Sequence, residues 1–436
     1  MDHLSAVHIA CGQGDRPDSA PPGLLEVLAR DLGVRISDAP PVSTTCSVVQ
    51  SARWGVASLS GAGDGPPALP EAPVATRISW VIATLAHLTG NLGARVDVDP
   101  AELLSARARE AGWTRRGAVS VNGSARLIPS VGGWLAVNLA RAEDREVLPA
   151  VLGAPVPSAA EWAALSEWTA SRPGDVVVDA LQQVGVPAAV LGAEAGSEAL
   201  RVIPVGTSQA SGRRESPLVV DFSAMWAGPL AAHLLHRTGA RVTTVEDPAR
   251  PDGARGGPAQ FYCELHRGHE LHAVDLRSGS GRADLARLVD SADIVIEASR
   301  PRALRGLGLH AEQFLAARPG RTWLSITGYG RQAYDGLRVA FGDDAAVAGG
   351  LVARGPDGAP VFVGDAIADP LTGLWAATAA AASWTAGGGR LLDVSMAGVA
   401  SEVSAATGGP RHTHHLRRDG AGCWWVSHED EDPVRC

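Results

Sequence analysis

The sequence predicts an α/β protein, with a large parallel-sheet domain preceded in the chain by a smaller α+β domain. Three observations carry this. Between Pro217 and Met396, short apolar runs alternate with amphipathic stretches, the pattern of strands covered on both faces by crossover helices. A separate cluster of short extended segments and helices occupies roughly 112–200. At 436 residues, the chain is too long for one compact core.

The elements follow in order. Residues 1–75 show weak periodicity and two turn-rich patches, SDAPPVSTTC and GAGDGPPALPEAP, and read as an irregular or wrapping segment. ATRISWVIATLAHLTGNLG has the spacing of an amphipathic helix, and AELLSARAREAG predicts a second, with Pro100 at its start. In the next unit AVSVNG and GGWLAVNL read as strands, with RLIPSV between them. REVLPAVLG, EWAALSEWTAS and GDVVVDALQQVG read as helices, and VPAAVLG as a short extended segment. The alternating region begins with the strand PLVVDFS and the helix PLAAHLLHRTG. ARVTTVE, a helix around DLARLVDSA, the strand DIVIEAS, a helix near EQFLAARPG and the strand TWLSITGYG continue it. A long helix at PLTGLWAATAAAASW and the strand RLLDVSM close a Rossmann-like sheet whose crossovers are right-handed. The expected division is 1–111 partial or wrapping segment, 112–200 small domain, 201–217 linker, 218–406 large domain and 407–436 C-terminal flap or tail.

Composition narrows the function classes. With 45% apolar and 19% charged residues, the chain can fill large cores and is not disordered throughout. A formal charge of −9 and the absence of a compact Lys/Arg field argue against a nucleic-acid partner. The five cysteines form no CxxC unit and no secreted disulfide framework, so ordinary thiols are expected. No basic segment leads into an apolar core at the N-terminus, and the alanine-rich tract from Leu371 to Trp384 is short of a membrane span. A cytoplasmic protein with no membrane partner is expected. His412, His414 and His415 lack a matched set of spaced ligands, so a solvated turn is expected there and no metal.

Two segments can carry chemistry. VVDFSAMWAGPLAAHLL reads as strand, turn and helix, placing Ser223, Trp226, Gly228 and Pro229 at the turn. It has neither a GxGxxG fingerprint nor a phosphate loop, and an ordinary tight crossover explains it equally well. A helix N-terminus there could still hold phosphate through unpaired backbone donors. The second segment, FVGDAIADPLTG, presents Asp365 and Asp369 before a helix. An aspartate in that place is a cap candidate, or a nucleophile able to attack a thioester carbonyl. Gly364 and Gly373 would permit close substrate approach.

In order and spacing, residues 218–406 resemble the large domain of the family III CoA-transferases, which include formyl-CoA and carnitine CoA-transferases and the related 2-methylacyl-CoA racemases. The resemblance runs through VVDFSAMWAGP, GARVTTVEDP, LHRGHELHAVDL, LARLVDSADIVIEASRPRALRGLGL, SITGYGRQ, AFGDDAAVAGG, GDAIADPLTG and GGGRLLDVSMAGVASE. Residues 117–192 resemble the family's small domain, which normally follows the large one, and 54–90 a remnant of a preceding large-domain half. The order is therefore rearranged, either folding within one chain or completed by dimerisation.

The resemblance implies that Asp369 is the catalytic aspartate, passing coenzyme A from an acyl-CoA donor to a carboxylic acid acceptor through an anhydride and an aspartyl-CoA thioester. Coenzyme A and acyl-CoA are then substrates, with no tightly bound cofactor. CoA contacts are expected from Ser223, Trp226, Ala227, Arg267, His269, Ala298, Ser299, Arg300, Arg305 and Phe341. Two elements depart from the family pattern: His266-Arg267-Gly268-His269 stands for Asn-Arg-Gly-Lys, and Glu297-Ala298-Ser299 for Glu-Asn-Phe. Arg267, Arg300, Arg302 or Arg305 could compensate by contacting phosphate. Where the racemase branch carries a His-Asp pair, this chain has Phe341 and Gly342 followed by Asp343 and Asp344, which favours transfer over racemisation. Trp226 and Phe341 suggest a bulky organic acyl group rather than formate or oxalate. A homodimer is implied, with a heteromeric partner as the alternative. The competing functions are a racemase-like enzyme and a catalytically weakened acyl-CoA-binding subunit.

Overall fold

The computed structural model describes residues 7–11, 23–34, 46–90, 94–157, 159–209, 211, 214–405, 412–428 and 432–436. Most of the first turn-rich patch, the end of ATRISWVIATLAHLTGNLG and the start of the tail lie outside these residues.

A seven-stranded sheet organises the large domain. Its strands are β1 (Leu200–Pro204), β2 (Leu218–Asp221), β3 (Arg241–Glu246), β4 (Glu270–Ala273), β5 (Ile294–Glu297), β6 (Thr322–Thr327) and β7 (Arg390–Ser395). The spatial order is β1-β7-β6-β5-β2-β3-β4. All neighbours pair in parallel except β1, which runs antiparallel to β7. β2 through β7 thus form a doubly wound sheet, with the strand order reversing between β2 and β5. Val219 lies beside Ile294 and Leu324 beside Ile296, all of them buried. The strand β1 falls at the edge of the expected linker. LRVIP pairs with RLLDV, so residues 200–204 complete the sheet.

Six helices position the site: α1 (Val74–Gly90), α2 (Pro100–Ala111), α3 (Ala227–Arg237), α4 (Gly342–Ala348), α5 (Ala368–Thr385) and α6 (Met396–Ser404). Asp99 caps α2 by accepting from the Ala101 amide at 2.8 Å, Pro100 opens the helix, and Gly112 ends it in the left-handed region. α5 is buried nearly all round, against α1, α3, β6 and β7. Its small residues allow this. A Cβ on Gly373 would lie 2.7 Å from a Leu230 methyl and 2.8 Å from the Ala227 carbonyl oxygen, so α3 and α5 touch through their backbones.

The smaller α+β unit contains an antiparallel sheet of Ala125–Ser130, Gly133–Asn138 and Ala188–Val190. Helices Glu161–Ala170 and Gly174–Gln183 cover it, burying Ile128, Leu135, Leu165, Val178 and Leu181. AVSVNG, expected as a strand, is a turn joined to the sheet by a single bridge, Val119 to Arg126, and RLIPS takes the strand position. REVLPAVLG divides into two short helices, Ala142–Glu146 and Leu148–Leu152, the second with Pro149 in its first turn. This unit packs on α4 of the same chain.

The N-terminal hundred residues hold more helix than their periodicity suggested: Gly23–Leu32, Ser47–Arg53 and Val56–Leu59. In the tail, His412–Arg418 and Trp424–Ser427 pair antiparallel, and Val7–Cys11 adds a strand beside the first. Among the described residues, no helix is long and apolar enough to cross a membrane.

Candidate active site

The site is built at the carboxyl ends of the parallel strands. Chain leaving β2 supplies Ala224, Met225 and Ala227; β5 is followed by Ala298, Ser299 and Arg300; β6 leads into Thr327–Gly330. Together with Phe341, Asp369 and Met396 these residues wall a cleft of about 130 Å³. It flanks the β2/β5 boundary, where strand order reverses and adjacent crossover connections diverge to leave a crevice. Met225 is held there at φ +72°, outside the ordinary range for a side-chain-bearing residue, with its amide donating to Asp252 Oδ1 at 3.0 Å.

Asp369 lies in the first turn of α5. Its Oδ2 accepts from the Gly342 amide at 3.1 Å, and the Ala227 amide also donates to the carboxylate. Both amides belong to opening residues of helices, α4 and α3, whose donors have no intrahelical partner. Gly342 is required: a Cβ there would stand 2.4 Å from Asp369 Oδ2 and 2.2 Å from the Ala366 carbonyl oxygen.

Burial raises the Asp369 carboxyl to about 7, with Arg107 pulling it down, Asp365 pushing it up and the two amides favouring the anion. Asp365 is 1% exposed and bound by the Arg107 fork through bonds of 2.7 and 2.5 Å. Asp365 sits between Gly364 at φ +66° and Ala366 at φ +42°, a tight turn that brings both aspartates toward one guanidinium. Asp343 accepts from the Ala366 amide at 3.1 Å, and burial followed by Asp365 raises it to about 7. Asp344 caps α4 through the Phe341 amide and accepts from Asn138 Nδ2 at 3.2 Å; burial raises it to about 8. Asn138 thereby ties the small unit to the helix that holds Asp369.

The expected residues divide into two groups. Asp369, Ala227, Ala298, Ser299, Arg300 and Phe341 line the one cleft. Ser223, Trp226, Arg267, His269 and Arg305 do not. Ser223 turns its hydroxyl onto Asp221, and Gly228 makes room for it, since a Cβ on Gly228 would meet Ser223 Cβ at 2.1 Å. Trp226 is 3% exposed, packed edge-on to Phe261 at 4.9 Å and under the Arg107 guanidinium at 4.5 Å. It faces a different groove, shared with Leu230 and His233. Arg267 is exposed and paired with Glu264, and Arg305 pairs with Glu312 at 3.7 Å. His269 contacts Thr244 Oγ1 at 3.1 Å amid His233, His236 and His266; burial lowers it to about 3.

Sequence reasoning missed Arg107. It sits on the polar side of an ordinary amphipathic pattern, and nothing local marks it; only the 258-residue separation closed by its bond to Asp365 gives it a role. Among the described residues, no group of three or more His, Cys, Asp or Glu side chains is placed to hold a metal. The segment of His412, His414 and His415 is strand rather than the expected solvated turn, and His414 is buried.

Residues 217–419 match the model of CoA-transferase family III. The succinyl-CoA–D-citramalate CoA-transferase of Chloroflexus aurantiacus is 30% identical over 189 residues, 40% of this chain and 47% of that protein. The succinate–glutarate CoA-transferase of Agrobacterium fabrum is 30% identical over 220 residues, 44% and 54% of the respective chains. The chain thus spans about half the length of the curated relatives it matches. Among solved structures, a CAIB/BAIF family protein from Brucella suis is 30% identical, over 43% of this chain and 54% of that one, with a TM-score of 0.40.

Proposed function

We propose that the protein moves coenzyme A from an acyl-CoA donor to a carboxylic acid acceptor, a reading supported by the match of residues 217–419 to CoA-transferase family III and by the cleft around Asp369. The carrying observation is the position of Asp369: a carboxylate in the wall of the cleft, held by the opening amides of two other helices and balanced near neutral pH by Arg107 and Asp365.

The chemistry follows from that position. With Oδ2 held by Gly342, Oδ1 attacks the thioester carbonyl; the C–S bond breaks, and a mixed anhydride and CoA thiolate result. The thiolate attacks the aspartyl carbonyl of the anhydride, releasing the donor acid as its carboxylate and leaving Asp369 as a CoA thioester. An acceptor carboxylate attacks that thioester and expels thiolate, which then takes the new acyl group and restores Asp369. Amides already directed at the carboxylate can stabilise negative charge on it without reorganising. Ala298, Ile326, Ala340, Phe341 and Met396 give the cleft apolar walls that keep water from the anhydride.

Initial-rate kinetics with succinyl-CoA and a panel of acid acceptors test this reading. Parallel double-reciprocal lines, with no acid-independent CoA release, are expected of a covalent carrier. Intersecting lines would mean that donor and acceptor occupy the site together and would contradict release of the donor acid before the acceptor reacts.

A further inference from the structure

Arg300 shares the Asp369 cleft and, among the described residues, has no carboxylate partner, hydrogen bond or ring contact for its guanidinium. The other arginine of the cleft is engaged, Arg338 bonding Asp179, and so is Arg141, whose guanidinium lies 5.7 Å from the Phe341 ring and bonds Asp144 at 2.5 Å. The charges that act on Arg300 are themselves cations, Arg302, Arg141 and Arg250, and with burial they hold its proton affinity below the usual arginine range. A partly buried cation among cations lacks its counter-ion. The Ser299 hydroxyl beside it is also buried without a partner.

We propose that Arg300 receives a second carboxylate of the reacting acid, so that the protein takes dicarboxylic acids and their half-thioesters. The inference rests on the CoA-transfer reading for the role of Asp369 and specifies its substrate. One end of the acid reacts at Asp369 while the other meets the guanidinium fork, whose planar donors match a carboxylate in bidentate fashion. Ile326, Ala340, Phe341 and Met396 supply apolar wall for the methylenes between. The phosphates of coenzyme A are the other anions available. They are separated from the thioester by the whole pantetheine arm, whereas Arg300 lines the same cleft as Asp369.

Succinate and butyrate differ in the second carboxylate at equal chain length, which makes them the test pair. In the full-length protein, Arg300→Gln should lower the ratio of kcat/KM for succinyl-CoA over butyryl-CoA by on the order of 10–100-fold, the worth of a charged hydrogen-bonded contact. Arg300→Lys should recover part of it. The same loss should appear with succinyl-pantetheine, which has no phosphate. Equal losses on both CoA thioesters that vanish on pantetheine thioesters would assign Arg300 to the CoA phosphates and overturn the proposal. An unchanged ratio would overturn it as well. Calorimetric binding of free succinate and butyrate needs no turnover, and so separates this claim from the chemistry of Asp369. Wild type should prefer succinate, and the Gln variant should lose the preference. Equal affinities in wild type would sink the proposal even if Asp369 forms its adducts.

Discussion

In the proposed transfer Asp369 attacks only when ionised, and burial raises its titration to about 7. The rate of acyl transfer to it should therefore rise with pH and be on the order of 10²-fold lower at pH 5 than at pH 8. A rapid-quench measurement of donor-acid release in the first turnover reads this directly, and a flat profile between those values would contradict it. Arg107 controls the same titration from outside the family III segment. Arg107→Gln leaves Asp365 buried without its charge partner, which should cost about 3–5 kcal/mol in urea unfolding. It should also shift the midpoint of the pH–rate curve upward, since a cation that favours the Asp369 anion is gone. A stability loss with an unmoved midpoint would reduce Arg107 to a structural tie. At this scale, the sequence discloses residues whose neighbours in the chain mark them. Asp369 stands out because its segment has recognisable flanks, whereas Arg107 gains meaning only across 258 residues. Trp226 shows the converse. Its place in the first turn after β2 suggested an acyl pocket, but its ring points to Phe261 and Arg107, because one residue's rotation about that turn selects a different groove.

At the scale of elements, apolar alternation was a sufficient signal wherever strands are buried on both faces. VVD, IVIE and LSI leave no choice of orientation, and their places in the chain match the expectation. The signal weakened where one face is solvated or the strand short. AVSVNG and RLIPSV offer nearly equal strand patterns, and the antiparallel pairing with GWLAVN selects the second. ELHA in β4 is an exposed edge strand with little apolar pattern. The contact between α3 and α5 ties packing to the surroundings of Asp369. Gly373→Ala would press a methyl against Leu230 and the Ala227 carbonyl, both within 2.9 Å of the new Cβ. Overpacking of this kind costs about 1–3 kcal/mol. It should also displace the Ala227 end of α3 from Asp369, so kcat should fall more than the lowered melting temperature explains. Unchanged kcat in a folded variant would separate the α3 amide from the reaction.

At the scale of the molecule, two arrangements matter. The first is the rearranged order, in which the small unit and β1 precede the sheet they join. The connection after β1 is exposed at Glu215 and Ser216, while β1 pairs with β7 and Arg107 binds Asp365 across it. A protease site placed there should give two fragments that elute together; separate elution would show that the covalent link is what joins them. The second is a set of carboxyls whose proton affinity burial raises. Burial raises Asp221, Asp343 and Asp369 to about 7 and Asp344 to about 8. Each has a folded pKa above its unfolded one, so the native state holds protons that the unfolded chain has released. Stability from these groups falls as pH rises toward 8. His233 and His269, lowered by burial to about 4 and 3, act in the opposite sense, but their effect is confined to pH below about 6.5. Urea midpoints should therefore decrease from pH 6.5 to pH 8, and Asp344→Asn should flatten the decline by ~1–3 kcal/mol. Composition foretold none of this, because a net charge of −9 does not reveal which carboxylates are buried.

The most direct measurement is intact-protein mass spectrometry of the chain after mixing with succinyl-CoA, alone and with an excess of acid acceptor, beside Asp369→Ala. The account predicts an acyl or CoA adduct on the wild-type protein, mapped to the peptide containing Asp369, absent from the variant and discharged by the acceptor. An adduct that survives in Asp369→Ala, or turnover in that variant at the wild-type rate, would contradict it.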